Sequence, residues 1–449
     1  MTASTKQNIR RNIIALVGSA MSAFAAVQTA GDFSVLSMNT AGLPAFLQGN
    51  DVPGDKAENH RMIGVKFVEY GYDIINVQED FNYHADLYST ASLPYRTPTS
   101  GGVPFGSGLN TLSLHPFTDM IRVKWNDCSS MDGADCLTPK GFTLVRVLLS
   151  SGPEGSAYVD VYNIHADAGV TQDDLVARAN NLHQLSEYIS IWSSGNAVII
   201  AGDTNSRYTR TKDEIRIFTR ENGMIDPWVE LIRDGVDPTE ETFCANPTTL
   251  NYCETVDKMF YRSSPVLDLQ ATGWSYESSR FLQPNGDILS DHNPIVANFT
   301  WSYPGSLRQS GLHGGPHGTW FSDTEVLSHL FSPRVSTISF RGGSRLDAVS
   351  VAHVDGTFIL HGGTGGQVSE LKLADGEIWT EAKVCLGQRN NRTRVFWIGA
   401  RTSAGRILTA GSSTEDCAEF AAPKGWGIVG FVGRSGDEVD QLGFVYAPQ

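Results

Sequence analysis

The sequence predicts an α/β domain followed by an all-β domain. A chain of 449 residues is longer than one hydrophobic core usually serves, so two domains are expected. In residues 32–301, short strand-like runs alternate with amphipathic helices. After that point, many short strand patterns follow one another with almost no helix pattern. Residues 302–318, rich in Gly, Pro, Ser and His, are typical of a linker that runs into a new first strand.

Two segments of the first part have a helical pattern that leads into a strand. Residues 58–70 place most of their apolar side chains on one helical side, and Gly71 is expected to end this helix. Residues 174–192 repeat the pattern and lead into the buried-strand sequence AVIIAGD at 197–203. With hairpin-like strands between these units, the pattern indicates sheets covered by helices.

The first thirty residues have the composition of a signal peptide. Lys6, Arg10 and Arg11 precede an apolar run at residues 13–27, and small residues follow as candidate cleavage points. The run is short and rich in Ala, Ser and Gly, although an uncleaved membrane anchor is the alternative. We therefore expect residues 1–30 to be a signal peptide and the protein to be secreted.

The six cysteines fall into three near-neighbour pairs. These are Cys128 with Cys136, Cys244 with Cys253, and Cys385 with Cys417. In an oxidising compartment, such an even set favours three disulfides. A zinc site is the weaker interpretation because the sequence contains no CxxC pair.

The formal net charge of -15 argues against a broad basic surface that binds nucleic acid nonspecifically. It leaves a nuclease open, because a bound metal and a local basic strip can offset the field near a site. Arg207, Tyr208 and Arg210 are scattered candidates for such contacts.

Polar residues lie at the ends of separate apolar runs in the first part of the chain. They are Asn39 in SVLSMNTAG, Glu79 in DIINVQED, His165 in YNIHADAG, Asp203 and Asn205 in IIAGDTNSR, Asp257 in VDKMFYR, and Asp291 and His292 in SDHNPI. Singly, each is more often an ordinary strand-end residue. As a set, they supply the groups that a metal-assisted phosphodiesterase needs.

The oxygen ligands suit a hard cation such as Mg²⁺, with Mn²⁺ or Ca²⁺ as alternatives. Glu79 is the best single candidate for a metal ligand, with Asn39 and Asp291 as its partners. Asp203 and Asn205 could position water or bind phosphoryl oxygens, whereas the rival interpretation is an Asx turn in GDTN.

The histidines suggest proton transfer. His292 can shuttle a proton near neutral pH, and Asp257 is a candidate to orient its ring. Asp257 could instead be a turn or cap residue. His165 could donate to a phosphate oxygen or to the leaving group. Four other histidines are expected to be surface or packing residues, namely His60, His84, His115 and His183, and Asp167 in HADAG receives no role.

The ordered set Asn, Glu, His-x-Asp, Gly-Asp-x-Asn, Asp and Ser-Asp-His resembles the endonuclease/exonuclease/phosphatase superfamily, which includes deoxyribonucleases and neutral sphingomyelinases. The resemblance covers residues 32–301. It implies a four-layer αββα sandwich with the site at one edge of its two sheets. It also implies in-line attack by water on a phosphodiester, with Glu79, Asn39 and Asp291 near the Mg²⁺ ion.

The C-terminal region, about residues 311–446, resembles the jacalin-type lectins. The resemblance rests on GRSGDEVDQLGFVY, which contains a GxxxD loop from Gly436 to Asp440, and on the glycine-rich HGGPHG. It implies a β-prism of three four-stranded sheets. Asp440 would accept hydrogen bonds from sugar hydroxyls, helped by backbone groups at Gly314, Asp437 and Glu438.

The expected organisation is a catalytic domain at residues 31–301, a linker at 302–311 and a lectin-like domain at 312–449. The favoured function is a secreted phospholipase C-like hydrolase of sphingomyelin or related sphingolipids, tethered to glycans by the second domain. A secreted nuclease is the main alternative, and a carbohydrate-binding protein with an inactive hydrolase domain is the third. Residues 41–54 are a candidate loop for substrate or peripheral membrane contact, or an ordinary surface turn.

Overall fold

The computed structural model describes residues 28–44, 52–130 and 135–449. The expected signal peptide lies almost wholly outside these residues, as does the middle of the 41–54 segment. Within the described ranges, no helix combines the length and the apolar character needed to cross a membrane.

The first part of the chain contains the following strands and helices, numbered along the chain. The strands are β1 (Ala30–Asn39), β2 (Ile74–Gln78), β3 (Tyr95–Arg96), β4 (Asn110–Ser113), β5 (Phe117–Lys124), β6 (Gly141–Gly152), β7 (Gly155–His165), β8 (Ala197–Asp203), β9 (Asp257–Arg262), β10 (Asp268–Tyr276) and β11 (Ile295–Ser302). The helices are α1 (Lys56–Tyr70), α2 (His84–Thr90), α3 (Gln172–Trp192), α4 (Ile217–Asn222) and α5 (Pro227–Ile232), with short 3-10 turns at Asp135–Leu137 and Ser278–Arg280.

These strands form two sheets that pack face to face. One sheet has the order β10-β11-β1-β2-β4-β3, and the other has the order β5-β6-β7-β8-β9. Helices α1 and α2 cover the outer face of the first sheet, where Ile63, Phe67 and Leu87 join its apolar core. On the second sheet, Tyr188 of α3 packs against the rings of Phe142 and Tyr162. The predicted four-layer αββα sandwich is therefore confirmed.

Both predicted helices are present, and each begins two residues earlier than its apolar pattern. The side chain of Asp55 accepts a hydrogen bond from the Glu58 backbone and caps α1, while Thr171 and Asp174 form a capping box at α3. These polar caps supply the first turn that apolar periodicity does not show. Gly71 ends α1 in the left-handed conformation, as expected, with a φ of 67°.

Amide side chains connect the two sheets across their packed faces. The Nδ2 atom of Asn76 donates to the carbonyls of Tyr162 and Ala201, at 3.1 and 3.0 Å. The Nδ2 atom of Asn163 donates in the opposite direction, to the carbonyl of Val77 at 2.9 Å, and Gln78 donates to Asn163 Oδ1 at 2.7 Å. These directional contacts fix the ends of β2, β7 and β8 beside one another.

The second part of the chain is almost entirely strands. They are β12 (Arg308–Gln309), β13 (His313–Gly314), β14 (Thr319–Ser322), β15 (Val335–Gly342), β16 (Leu346–His353), β17 (Phe358–Gly362), β18 (Gln367–Lys372), β19 (Trp379–Arg389), β20 (Arg392–Thr402), β21 (Ile407–Gly411), β22 (Asp416–Ala421), β23 (Trp426–Ser435) and β24 (Val439–Pro448), with one short helix, α6 (Thr324–Ser328).

Three sheets enclose the core of this second part. Their orders are β12-β24-β23-β14, β17-β16-β15-β18 and β21-β20-β19-β22, and the two-residue β13 also pairs with β24. Phe340, Trp379 and Phe444 meet in the buried core between the sheets. The predicted β-prism is confirmed, and so are the three disulfides at the predicted pairs.

A buried charged cluster joins the two parts. The guanidinium of Arg146 lies 3.7 Å from the ring centroid of Trp320 and pairs with Asp160 at 2.7 Å. Asp119 lies 3.2 Å from Arg146 and 3.4 Å from Arg434 of β23. Because removing one partner would leave a buried charge uncompensated, this cluster favours one fixed arrangement of the two parts.

We expect Asn76→Ala to lower the free energy of unfolding by about 2–4 kcal/mol, because it removes two buried hydrogen bonds to the opposite sheet and the acceptor of the buried Thr111 hydroxyl. Asn180 is a matched control, since it lies on the exposed side of α3 and its side chain donates to Asp127 at the surface. Asn180→Ala should change stability by less than about 0.5 kcal/mol. Urea unfolding measures both variants, and equal midpoints would contradict the importance assigned to the contacts between the sheets.

Candidate functional site

The pairing of the strands brings the predicted residues to one edge of the sandwich. Strands β1 and β2 run parallel with Asn39 opposite Gln78, and β7 and β8 run parallel with His165 opposite Asp203. Strand β9 runs antiparallel to β8, so its first residue, Asp257, also lies opposite Asp203. Because the carboxyl ends of parallel strands meet at one edge, side chains distant in sequence become neighbours.

Asn39 connects the two sheets at this edge. Its Nδ2 atom lies 3.2 Å from Glu79 Oε1 and 3.2 Å from Asp203 Oδ2, and its Oδ1 atom accepts from the Ala41 backbone at 3.0 Å. Glu79 directly follows β2 in a left-handed conformation with a φ of 55°. Such strained backbone in a residue with a Cβ atom is concentrated at functional sites.

His292 forms a pair with Asp257. Its Nδ1 atom lies 3.0 Å from Asp257 Oδ2, and its Nε2 atom lies 3.8 Å from Asp203 Oδ2. Burial disfavours the charged ring, but the carboxylates of Asp257 and Asp203 outweigh it and raise the pKa of His292 well above its usual value. The predicted orienting contact is therefore present in the geometry.

His165 has the opposite electrostatic setting. Its Nε2 atom lies 3.5 Å from Asp203 Oδ2, and its Nδ1 atom is buried without a hydrogen-bond partner among the described residues. Burial, reinforced by the charge of Lys140, lowers the pKa of His165 to about 3. One carboxylate, Asp203, thus faces a neutral imidazole and a charged imidazole.

Asn205 lies in the turn after β8. Its backbone N–H donates to Asp203 Oδ1 at 2.9 Å, so the Asx turn weighed as the rival interpretation is present. Its Nδ2 atom donates to the carbonyl of Ala166 at 3.0 Å, and its φ is 50°. The Asx turn is compatible with a position of Asn205 at the site, because the turn itself holds Asn205 at this edge.

Asp291 lies at the exposed rim of the site. Its charge acts on Glu79 and on His292, raising the pKa of both groups. The preceding Ser290 donates to the carbonyl of Asn39 at 2.6 Å and ties this loop to β1. Asp291 therefore faces the same space as Glu79 without touching it.

Two sets of groups could hold a cation. Single ligand atoms of Asp203, Asp257 and His292 lie within 4.8 Å of one another. In that set, Nδ1 of His292 already forms a hydrogen bond with Asp257, and this arrangement suits proton transfer better than metal binding. Glu79, Asn39 and Asp291 offer oxygen ligands, and within the described ranges Glu79 has no ion-pair partner. These three fit a hard cation better.

Two lysines near the site were not identified from the sequence. Lys140 precedes β6 and pairs with Asp135. Burial raises the pKa of Glu79, and the charge of Lys140 opposes this shift; at Asp203, where burial also acts to raise the pKa, the charges of His292, His165 and Lys140 outweigh it and lower the pKa. Lys56 donates to the carbonyls of Ala41 and Leu43, at 2.9 and 2.6 Å. Neither follows an apolar strand, so a search of strand ends does not find them.

Asp167 has a structural contact. Its Oδ2 atom accepts from the backbone of Ser129 at 2.8 Å, beside the Cys128–Cys136 disulfide. Burial raises its pKa to about 7, and neighbouring Asp135 adds to the shift. Asp167 therefore holds the loop that carries Asp135, the partner of Lys140.

The second part of the chain brings its predicted sugar-binding residues together. The backbone of Gly315 donates to the carbonyl of Asp440 at 2.9 Å, and a Cβ atom on Gly314 would lie 2.3 Å from that same oxygen. The loop from Gly436 to Asp440 faces this contact, with Asp437 and Glu438 in its turn. Both acids used by the motif are ion-paired, Asp440 with Arg394 and Glu438 with Arg345 and Arg389.

The fold and the site together define a protein that joins an αββα sandwich of the phosphoesterase type to a β-prism of the lectin type. Residues 55–236 match the family model "Endonuclease/Exonuclease/phosphatase family 2", and residues 310–445 match the model "Jacalin-like lectin domain". The chain therefore consists of an endonuclease/exonuclease/phosphatase-family domain followed by a jacalin-like lectin domain.

Individual relatives resemble one domain each. A sphingomyelinase of Mycobacterium bovis is 38% identical over 276 residues, which are 60% of this chain and 53% of the relative. The chain thus spans about half the length of that relative. The solved sphingomyelinase C of Streptomyces griseocarneus is 18% identical, with a TM-score of 0.41, and the alignment covers 60% of this chain and 99% of that one. A mannose-binding jacalin-related lectin of Ananas comosus is 24% identical, with a TM-score of 0.28, covering 32% and 99%.

The space around two glycines of the predicted sugar-binding loops, Gly314 and Gly436, predicts that they differ in their tolerance of substitution by alanine. Gly314→Ala should destabilise the β-prism by about 2 kcal/mol or more, because a φ of 144° and the carbonyl of Asp440 leave no room for a Cβ atom. Gly436→Ala is the matched control, since a Cβ atom there meets open space. Thermal unfolding compares the two, and equal midpoints would show that the close approach at Gly314 is not required.

Proposed function

We propose that this protein is a secreted, divalent-cation-dependent phosphodiesterase that hydrolyses sphingomyelin or a related sphingolipid, and that its second domain binds glycans. The observation that carries the proposal is the meeting of Glu79, Asn39, Asp203 and the Asp257–His292 pair at one edge of the sandwich. The 38% identity to a sphingomyelinase supports the lipid substrate. We assign the catalytic domain to residues 31–301 and the lectin-like domain to 312–449.

Glu79, Asn39 and Asp291 would hold the cation, with Mg²⁺ favoured over Mn²⁺ and Ca²⁺ for these oxygen ligands. When bound, the cation neutralises charge that develops on phosphate oxygens. The lysines add fixed positive charge, because Lys140 acts on Glu79, His165 and Asp203.

The side chains of the site have separate roles in the proposed reaction. Asp203 and Asn205 orient a water molecule for in-line attack on phosphorus. His292, held by Asp257 through Nδ1, presents Nε2 toward the reacting groups and supplies a proton to the leaving oxygen. His165 supplies a hydrogen bond to a non-bridging oxygen. The new bond joins the water oxygen to phosphorus, the bond from phosphorus to the lipid alcohol breaks, and the proton that the water loses passes to the Asp203 carboxylate that orients it.

The contacts of the basic residues disfavour the nuclease alternative. Arg207 pairs with Glu241 at 2.6 Å, Arg210 pairs with Asp213 at 2.8 Å, and Tyr208 is buried. These side chains are therefore engaged within the protein and do not form a free basic strip for a nucleic-acid backbone.

Exposed apolar residues beside the site favour a lipid substrate. Leu250 and Tyr252 are 48% and 51% exposed in a loop closed by the Cys244–Cys253 disulfide, and Phe243, directly before this loop, is 70% exposed. Asn246 in this loop donates to the carbonyl of Ser290 at 2.9 Å, which places the loop next to His292. Such a patch near a catalytic edge is typical of contact with a lipid surface.

The decisive test is Mg²⁺-dependent hydrolysis of sphingomyelin vesicles, with plasmid DNA offered in parallel. Glu79→Ala and His292→Ala should each lower the lipid rate by at least about a hundredfold, because they remove the metal ligand and the proton donor. Exposed residues of the same types supply controls, Glu69→Ala and His183→Ala, which should retain full activity.

DNA cleavage with the same mutant dependence would replace the lipid proposal with a nuclease. Lipid hydrolysis that survives both Glu79→Ala and chelation by EDTA would reject the metal site. Loss of activity on chelation, restored by Mg²⁺, is the expected result.

The loop of exposed apolar residues gives a further prediction. The double variant Phe243→Ser/Leu250→Ser should raise the apparent KM for vesicles about tenfold or more, because it removes apolar area that enters the lipid surface. Hydrolysis of the soluble diester bis(p-nitrophenyl) phosphate should stay unchanged. Val354→Ser, at a residue 70% exposed in the second domain, is the control. Parallel losses on both substrates would mean that the loop supports the site and not the membrane contact.

A further inference from the structure

The acids of the GxxxD loop are surrounded by arginines. Glu438 pairs with Arg345 and with Arg389, and Asp440 pairs with Arg394. Arg394 Nε also lies 3.9 Å from Glu438 Oε2. A neutral sugar that requires a free carboxylate acceptor at Asp440 would have to compete with a guanidinium already paired there.

The arginines come from turns of different sheets. Arg345 lies between β15 and β16, whereas Arg389 and Arg392 flank the tight β19–β20 turn, in which Asn390 and Asn391 have φ values of 51° and 59°. Positive φ at both central residues is the requirement of a type I′ two-residue hairpin turn. This turn therefore presents its two arginines side by side.

A pocket of about 420 Å³ lies against this turn, and we call it the arginine pocket. Its lining is Arg389, Asn390, Arg392, Arg394 and Glu438. Arg392 is exposed and, within the described ranges, has no ion-pair partner. Three guanidinium groups thus line the pocket against a single carboxylate, although the whole chain has a net charge of -15.

A second loop of the same geometry lies beside the first. The backbone of Gly363 donates to the carbonyl of Asp347 at 2.9 Å, which repeats the contact between Gly315 and Asp440. A Cβ atom on Gly362 would lie 2.2 Å from the Asp347 carbonyl, again as at Gly314. Arg345 belongs to this second GxxxD sequence and bridges to Glu438 of the first. Two adjoining loops favour an extended ligand over an isolated ion.

We propose that the arginine pocket binds an acidic oligosaccharide through a carboxylate or sulfate group on the sugar. The inference rests on the proposed glycan binding of the second domain. Arg392 and Arg389 hold the acidic group, because planar guanidinium groups match carboxylate and sulfate oxygens in pairs. Arg392 has no ion-pair partner within the described ranges, and Arg389 is 45% exposed and pairs with Glu438 through Nη1, which leaves its other N–H groups to donate to the ligand. A flat anionic membrane would bring its charges against the exposed Asp437 as well, whereas one acidic group can enter the pocket alone.

The test is binding of the full chain to four probes by calorimetry. These are a heparin-derived hexasaccharide, sialyllactose, methyl α-mannoside and phosphatidylserine vesicles. The hexasaccharide or sialyllactose should bind more tightly than the mannoside, and affinity should fall as salt is raised. Arg389→Gln/Arg392→Gln should weaken binding of the acidic sugar about tenfold or more. The control is Arg401→Gln, an exposed arginine further along β20 that pairs with Glu381 and should bind normally.

Each other outcome overturns the inference in a distinct way. Preference for the mannoside, with no effect of the double variant, leaves glycan binding intact and rejects the acidic ligand. Binding to vesicles without binding to acidic sugars rejects an oligosaccharide. Absence of binding to any sugar removes the proposed lectin role as well, while hydrolysis of sphingomyelin by the same preparation tests the first domain separately.

Discussion

The amide contacts between the two sheets are the constraint on which the site depends. Asn76 and Asn163 donate across the sandwich in opposite directions, so neither sheet can slide without breaking buried hydrogen bonds. Glu79 comes three residues after Asn76, and His165 comes two residues after Asn163. A one-residue shift would turn every side chain of a strand to the opposite face. The same contacts that hold the sheets together therefore set the distances at the candidate site.

The electrostatics of the site follow from this placement. Asp203 is buried, accepts a hydrogen bond from Asn39 of the other sheet, and lies near both His165 and His292. Burial alone would lower the pKa of both rings, but only His292 has a second carboxylate, Asp257, in direct contact. His165 therefore favours its neutral form, whereas His292 favours its charged form. Neutral hydrogen bonding and acid catalysis require this division of roles.

The sequence could predict the groups that follow regular strands, because apolar alternation locates strand ends. It could not predict Lys140 or Lys56, which reach the site from a strand start and a helix start. The GxxxD loop was visible as a motif, but the arginines that pair with it lie about 45 to 95 residues away, such as Arg345 on a turn and Arg394 in β20. Contacts between turns of different sheets have no local sequence pattern, so only the folded chain shows them.

The contact between the domains lies toward the start of β7 and β8, whereas the candidate site lies at their carboxyl ends. Asp160, which pairs with Arg146 in the domain contact, and His165 of the site both belong to β7. At the start of that strand, Gly155 lies against the Gln309 carbonyl of β12, and the full strand spans roughly 33 Å at 3.3 Å per residue. In the proposed function, a glycan held by the prism would therefore raise the local concentration of membrane substrate without covering the edge where hydrolysis takes place.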